Sequence, residues 1–179
     1  ACEGGHTDVV RMLIMNNADV DARDDEGNTP LHIACKKSVT QCVKLLLQYS
    51  CNPSSKNYLM QTPLHVVVSS NHIDTPGQQE IVDILVNHQA LFDLEDSFSQ
   101  TPLDISIVNN NLPQVKCFIT LNSNVHHLNF MGQNILHMVL LSNGDMKLLA
   151  FFINLGLNIN ACDLQGRTAL HQIMILENE

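Results

Sequence analysis

Residues 27–35 read Gly27-Asn28-Thr29-Pro30-Leu31-His32-Ile33-Ala34-Cys35, and 33 residues later the chain reads Met60-Gln61-Thr62-Pro63-Leu64-His65-Val66-Val67-Val68. A tetrapeptide that returns at a fixed interval is either a reactive site used several times or a unit of architecture. Further relatives decide the matter. Thr29-Pro30-Leu31-His32, Thr62-Pro63-Leu64-His65, Thr101-Pro102-Leu103-Asp104, Asn134-Ile135-Leu136-His137 and Thr168-Ala169-Leu170-His171 begin 33, 39, 33 and 34 residues apart. Each opens a short apolar segment, followed by a polar break and a second apolar segment.

The second segments include QCVKLLLQYSC (residues 41–51) and EIVDILVNHQA (residues 80–90), with apolar residues at three- and four-residue spacing, as Val43, Leu46 and Leu47 or Ile81, Val82 and Leu85 show. That spacing marks amphipathic helices. Between the second segment of one unit and the tetrapeptide of the next lies a turn-rich stretch. Gly27, Gly132 and Gly166 take the same place in it, where a tight turn wants a positive φ.

Composition agrees with packed helices. Apolar residues make up 45% of 179 residues, enough for a real core, while aromatics are only 4% and Trp is absent. The core therefore falls to Leu, Ile, Val, Met and Ala. Net charge is −9, and the nine Lys and Arg are scattered apart from Lys36-Lys37, so no basic stripe is present to replace phosphate counterions. Direct nucleic-acid binding is not expected. The uncharged stretch from Leu148 to Cys162 is too short and too polar to span a bilayer, and Cys2 to His6 does not open a signal peptide. Six cysteines without a C-x-x-C pair read as buried, reduced thiols.

A period near 33, a T-P-L-H opening, two short helices and a Gly-containing turn together resemble the ankyrin repeat. The resemblance covers the whole chain and implies an all-α ankyrin-repeat solenoid of stacked helix-turn-helix units with short β-hairpin-like turns. The expected organisation is a single domain over 1–179: a partial unit at 1–24, units at about 25–57, 58–96, 97–129 and 130–163, and a truncated last unit at 164–179. Both ends read as cut, so a fragment of a longer array or multidomain protein is expected. In the family the Thr caps the first helix, Pro takes the first helical position, Leu enters the core and His bonds to backbone in the neighbouring turn. His32, His65, His137 and His171 are thereby read as structural, since packed helix layers about 8–10 Å apart cannot share a zinc ion with ligands at about 2 Å.

Four departures stand out. Asp104 replaces His, and Asn134-Ile135 replaces Thr-Pro, which predicts less ideal helix starts. Met60 and Ser99 occupy glycine positions, which predicts a disturbed turn. The 39-residue interval carries six extra residues around Ser69 to Glu80, with a turn signal at Thr75-Pro76-Gly77; the segment reads either as a tolerated surface loop or as a partner-contacting bulge.

The resemblance further implies that turn tips and inner helices line a concave, partner-binding face. The tips are Asp25-Glu26, Tyr58-Leu59, Ser97-Phe98, Phe130-Met131 and Leu164-Gln165. Tyr58, Leu59, Phe98, Phe130, Met131 and Leu164 are apolar where polar residues are usual, and Val108 and Leu141 continue this on the inner helices. Grouped apolar side chains mark interaction sites. The three aromatics alone offer about 450–750 Å² if each buries about 150–250 Å², close to the ~800 Å² one partner gives to a standard interface. Inward packing between fingers is the competing reading. The acidic set Asp19, Asp21, Asp24, Asp25 and Glu26 either steers a basic partner or forms a solvated turn, and it lacks the twelve-residue spacing of a calcium loop.

No phosphate-cradling loop, nucleophile elbow or H-E-x-x-H motif is present, so no enzyme, cofactor or metal is expected. The expected function is an intracellular scaffold or adaptor, cytoplasmic or nuclear, monomeric, binding a protein partner and neither nucleic acid nor the membrane interior. The alternatives are a structural spacer in a longer array, a substrate-receptor region of a ubiquitin ligase, or a transcription-factor inhibitor.

Overall fold

The computed structural model describes residues 6–70, 76–142 and 145–176. The chain gathers into two compact units, Ala1–Ser97 and Phe98–Glu179. In the first, α1 (Thr7–Met15), α2 (Pro30–Lys36), α3 (Thr40–Gln48), α4 (Pro63–Ser69) and α5 (Pro76–Asn87) follow in order. In the second come α6 (Pro102–Val108), α7 (Leu112–Thr120), α8 (Ile135–Leu141), α9 (Met146–Asn154) and α10 (Ala169–Leu176). No strand occurs among the described residues, and the fold class is the all-α repeat expected from the tetrapeptides.

Each tetrapeptide makes a seven- or eight-residue inner helix, and each second segment an outer helix packed against it. α2 packs on α3 and α4, and α4 on α5; in the second unit α6 packs on α7 and α8, and α8 on α9 and α10. The leucines of the first four tetrapeptides (Leu31, Leu64, Leu103, Leu136) are fully buried, whereas Leu170 of the fifth is 69% exposed and does not enter the core as expected; Val43, Leu46, Ile81 and Leu85 close the core of the first unit and Phe118 and Phe152 that of the second. Pro30, Pro63 and Pro102 open their helices at a position whose N–H has no intrahelical partner in any case.

The polar half of the tetrapeptide fixes each helix start. Thr29 N–H donates to His32 Nδ1 at 3.1 Å, and His32 Nε2 lies 3.0 Å from Gln61 O in the next turn. Because Nδ1 accepts, the ring is neutral with its hydrogen on Nε2. Burial pushes the His32 pKa down, in keeping with that form. Thr62 and His65 repeat the first bond at 3.1 Å.

The helix starts expected to be poor are fully capped. Asn134 Oδ1 accepts the His137 N–H at 3.2 Å, Asn being among the best N-cap residues. Asp104 Oδ2 accepts the Thr101 N–H at 2.8 Å and its hydroxyl at 2.9 Å, so a carboxylate does the work of the imidazole. The turn expected to be disturbed at Met60 and Ser99 also forms: both take the left-handed conformation, φ 59° and 49°. Hydrogen bonds enforce it at Met60, whose N–H donates to Asn57 O at 2.9 Å while Asn57 Oδ1 accepts from Leu59 and Gln61. A side chain costs about 1–2 kcal/mol in that conformation. Met60→Gly is therefore expected to raise stability by about 0.5–1 kcal/mol after the flexibility glycine adds to the unfolded chain, read as a higher urea midpoint at unchanged slope. Of the turn signal Thr75-Pro76-Gly77, Pro76 and Gly77 open α5 instead, the proline at the first helical position; residues 71–75 lie outside the described residues.

Candidate interaction surface

The turns between repeats are fingers built on an Asx residue. Asp24, Asn57, Asn129 and Asp163 each use one side-chain oxygen to accept the N–H groups two and four residues on, at 2.8–3.0 Å. Desolvation alone would raise the Asp24 and Asp163 carboxyls, but these N–H donors outweigh it and hold both below the usual carboxylate range. Asp24 is thus part of the finger and not a free steering charge. Asp21 likewise accepts the Asn52 N–H, and Glu26 the Asn28 amide; Asp25 is exposed at the tip.

Neighbouring fingers are joined edge to edge. The first tip residue of one finger donates its N–H to the second tip residue of the finger before: Tyr58 to Glu26 O at 3.1 Å, Ser97 to Leu59 O at 2.9 Å, Leu164 to Met131 O at 2.9 Å. The glycines make room for this approach. A Cβ on Gly27 would lie 2.7 Å from Tyr58 Cδ1, and one on Gly132 3.0 Å from Leu164 Cγ.

All eight apolar candidates are exposed. In the first unit Tyr58 is 70% accessible and Leu59 stands beside it; in the second, Phe98 is 50%, Phe130 57% and Leu164 78% accessible, with Met131, Val108 and Leu141 also exposed. Packing between fingers and exposure coexist: Tyr58 and Leu164 cover a glycine with one side and present the other to solvent. Phe98 and Phe130 come together, ring centroids 6.4 Å apart and planes tilted by 57°. Beside them Phe130, Met131, Asp163, Leu164, Gln165 and Arg167 line a cleft of about 160 Å³. Val108 and Leu141 close α6 and α8 at their C-terminal ends. Met60 and Leu128 are exposed apolar residues next to the tips that the consensus comparison passes over; their place within two residues of a tip is the signal that finds them.

The second unit also contains an exchange of partners behind its fingers. Where His32 reaches forward to a carbonyl, the shorter Asp104 cannot, and His127 of the following turn reaches back, Nδ1 3.0 Å from Asp104 Oδ2. Asp104 is fully enclosed and His127 nearly so. His137, at the tetrapeptide position in the next repeat, keeps the forward contact, Nε2 to Arg167 O at 3.0 Å. Among the described residues no group of three or more His, Cys, Asp or Glu side chains has the arrangement to hold a metal ion, and no helix is long and apolar enough to cross a membrane.

These features define a helical repeat protein whose paired helices are joined by hydrogen-bonded fingers. The family model described as "Ankyrin repeats (3 copies)" matches residues 1–76, and the same unit continues through the second half of the fold. The chain belongs to the ankyrin-repeat family. It is 35% identical over 89 residues to Transient receptor potential cation channel subfamily A member 1 of Homo sapiens, covering 49% of this chain and 7% of that protein. It is 32% identical over 135 residues to the B-cell lymphoma 3 protein homolog of Mus musculus, covering 73% and 29%. Ankyrin repeat and SOCS box protein 11 of Homo sapiens is 26% identical over 114 residues, covering 64% and 33%. The chain thus spans a third or less of each of these relatives. Repeats of this family generally serve protein–protein interaction and are generally non-catalytic.

Proposed function

We infer that the chain is a protein-recognition module, an intracellular scaffold or adaptor, whose partner docks on the finger tips of the second unit, with Phe98 and Phe130 as anchors and Met131, Leu164, Val108 and Leu141 around them. The observation that carries this reading is the Phe98–Phe130 pair: two aromatic rings in contact with each other, each about half exposed, on turns that need no side chain there for their own hydrogen bonds. Aromatic side chains so placed are the usual anchors of interfaces. Tyr58 and Leu59 offer a second apolar tip in the first unit. The reading includes binding without catalysis, since the four imidazoles and Asp24 and Asp163 are engaged in holding helix starts and fingers. An intracellular place accords with the free thiols of Cys35, Cys42 and Cys51, all buried; burial pushes the Cys51 thiol up to about 12, so it is inert.

The test compares wild type with a Phe98→Ser, Phe130→Ser double variant of unchanged helicity in affinity capture followed by mass spectrometry. The expected result is a partner retained by wild type and reduced at least about tenfold in the variant, as loss of an interface anchor predicts. Equal recovery by both proteins removes the finger tips from the reading.

A further inference from the structure

We propose that the two units answer protons with opposite sign: proton uptake near neutral pH loosens the helix starts of the first unit and secures those of the second.

The first unit is built on imidazoles that have to stay neutral. His32 Nδ1 accepts the Thr29 N–H and His65 Nδ1 the Thr62 N–H, both at 3.1 Å, and both rings are fully enclosed. A proton on either Nδ1 sets donor against donor at a helix start. Burial, aided by the charge of Arg23 and opposed by the Gln61 carbonyl and by Asp24, holds His32 below the ordinary imidazole value. Such a ring takes its proton when the chain opens. Its contribution to stability is therefore present in full above about pH 6.5 and declines as pH falls toward the lowered value.

Two substitutions invert this in the second unit. Asn134 Oδ1 accepts the His137 backbone N–H at 3.2 Å and its Nδ2 donates to Asn158 O at 3.3 Å, which fixes the orientation of the amide. That same oxygen lies 2.6 Å from His137 Nδ1, and Arg167 O lies 3.0 Å from Nε2. Both nitrogens of this buried ring thus face acceptors. A neutral ring has one N–H and leaves the other contact lone pair to lone pair, whereas the imidazolium donates to both. At Asp104 a carboxylate stands in place of the imidazole, with Oδ2 3.0 Å from His127 Nδ1. Among the described residues its buried Oδ1 has no hydrogen-bond partner. An enclosed carboxylate so placed calls for a positive neighbour, and a proton on His127 supplies it. In both places the proton completes a contact that the open chain lacks, so stability rises as pH falls.

The other titratable and charged groups on the packed elements are solvated or already engaged. Against α8, α6 brings Asp104, α9 the exposed Lys147 behind Asp145, whose carboxyl caps that helix, and α10 the exposed His171. The Arg167 guanidinium is bound to Asp163. Against α6, α7 brings the exposed Lys116, and the turns on either side bring the buried Asp96 and the exposed His126. In the first unit, Lys44 of α3 pairs with Glu80 of α5, Asp83 of α5 accepts from Gln79, and Lys36 and Lys37 lie exposed at the end of α2. The inversion also reaches the fingers. His127 stands two residues before Asn129, whose oxygen shapes the Phe130–Met131 finger, and Arg167 closes the finger that carries Leu164. Proton uptake therefore keeps these two fingers formed while it loosens α2 and α4.

Nuclear magnetic resonance on the isotope-labelled whole chain tests this at about pH 8 and about pH 6, either side of the ordinary imidazole value of about 6.5. Long-range imidazole spectra read each ring nitrogen. At the lower pH the expected result is a bare Nδ1 in His32 and His65, and hydrogen on both nitrogens of His127 and His137. Amide exchange, corrected for the intrinsic rate at each pH, reads the helix starts. From the higher pH to the lower, protection of the Ile33 and Val66 N–H groups, which bond to Thr29 O and Thr62 O, should fall about two- to fourfold. Protection of the Met138 N–H, bonded to Asn134 O, and of the Met131 and Gln133 N–H groups on Asn129 should rise at least about twofold. Asn134→Thr gives the ring a threonine N–H to accept, so His137 should then show a bare Nδ1 and Met138 should lose protection with Ile33 and Val66. Asn134→Asp keeps the oxygen and should keep the rise. A bare nitrogen on His127 or His137 in wild type at the lower pH overturns the proposal. So does protection that changes in the same direction in both units, or an Asn134→Thr protein that responds as wild type does. The wild-type spectra decide the matter by themselves where a variant does not fold.

Discussion

Asp104→Ala is expected to destabilise the second unit by about 2–4 kcal/mol, because it leaves several buried polar groups without their acceptor. Asp104 is fully buried and its Oδ2 meets three groups: the Thr101 N–H, the Thr101 hydroxyl and His127 Nδ1. Alanine strands all of them in an enclosed space, and each unsatisfied polar group costs about 1–3 kcal/mol. The effect should appear as a lower urea midpoint for the part of the chain containing α6 to α8, read by hydrogen exchange, because stability in a repeat array is the sum of local and nearest-neighbour terms. Asp104→Asn keeps an acceptor for the Thr101 N–H and should cost clearly less. Asp104→His restores the T-P-L-H tetrapeptide but sets a second imidazole against His127, so the consensus residue is expected to destabilise in this setting. Adding His127→Ala to Asp104→His should recover part of that loss, a coupling that residues in contact show and distant ones do not. Additive effects of the two changes would mean that His127 does not depend on Asp104.

That pair also shows where reading the chain by its repeats stops. The tetrapeptides and the three- and four-residue apolar spacing lead straight to the helix pairs, because Leu31, Leu64, Leu103 and Leu136 each face the same environment. A repeat tells which residues are equivalent. It does not tell how one unit compensates for its own departure, and His127 lies 23 residues from Asp104 in a stretch no consensus marks. The good helix starts at Thr101 and Asn134 were within reach of side-chain chemistry, since Asp and Asn accept backbone N–H bonds as readily as the residues they replace. The finger-forming role of Asp24 is hidden for another reason: next to Asp25 and Glu26 it looks like surface charge, and only the matching positions of Asn57, Asn129 and Asp163 reveal the common acceptor. At the candidate surface, the identities of the apolar tips are legible by comparison with polar-tipped repeats. The contact between Phe98 and Phe130 is not, because it depends on how closely adjacent turns approach.

The closeness of that approach can be measured at Gly27. Gly27→Ala is expected to cost about 1.5–4 kcal/mol: about 0.5–1 for placing a Cβ in a left-handed conformation, net of the flexibility removed from the unfolded chain, and about 1–3 for forcing it into filled space. Gly27 has φ +77°, and its added Cβ would meet Tyr58 Cδ1 at 2.7 Å and the Tyr58 backbone nitrogen at 2.9 Å. A ring can swing aside, but that nitrogen donates the 3.1 Å bond to Glu26 O that joins the two fingers. Gly166 supplies the control, with φ +73° and no atom within 4 Å of the built Cβ. Gly166→Ala should therefore show the net backbone contribution alone, about 0.5–1 kcal/mol. Tyr58→Ser in the Gly27→Ala background removes the ring clash and leaves the backbone one, so the double variant should fall between the two. Urea unfolding of the four proteins reads the series. If Gly27→Ala costs no more than Gly166→Ala, the fingers stand farther apart than their hydrogen bond requires; if Tyr58→Ser restores the whole difference, the ring and not the main chain sets their spacing.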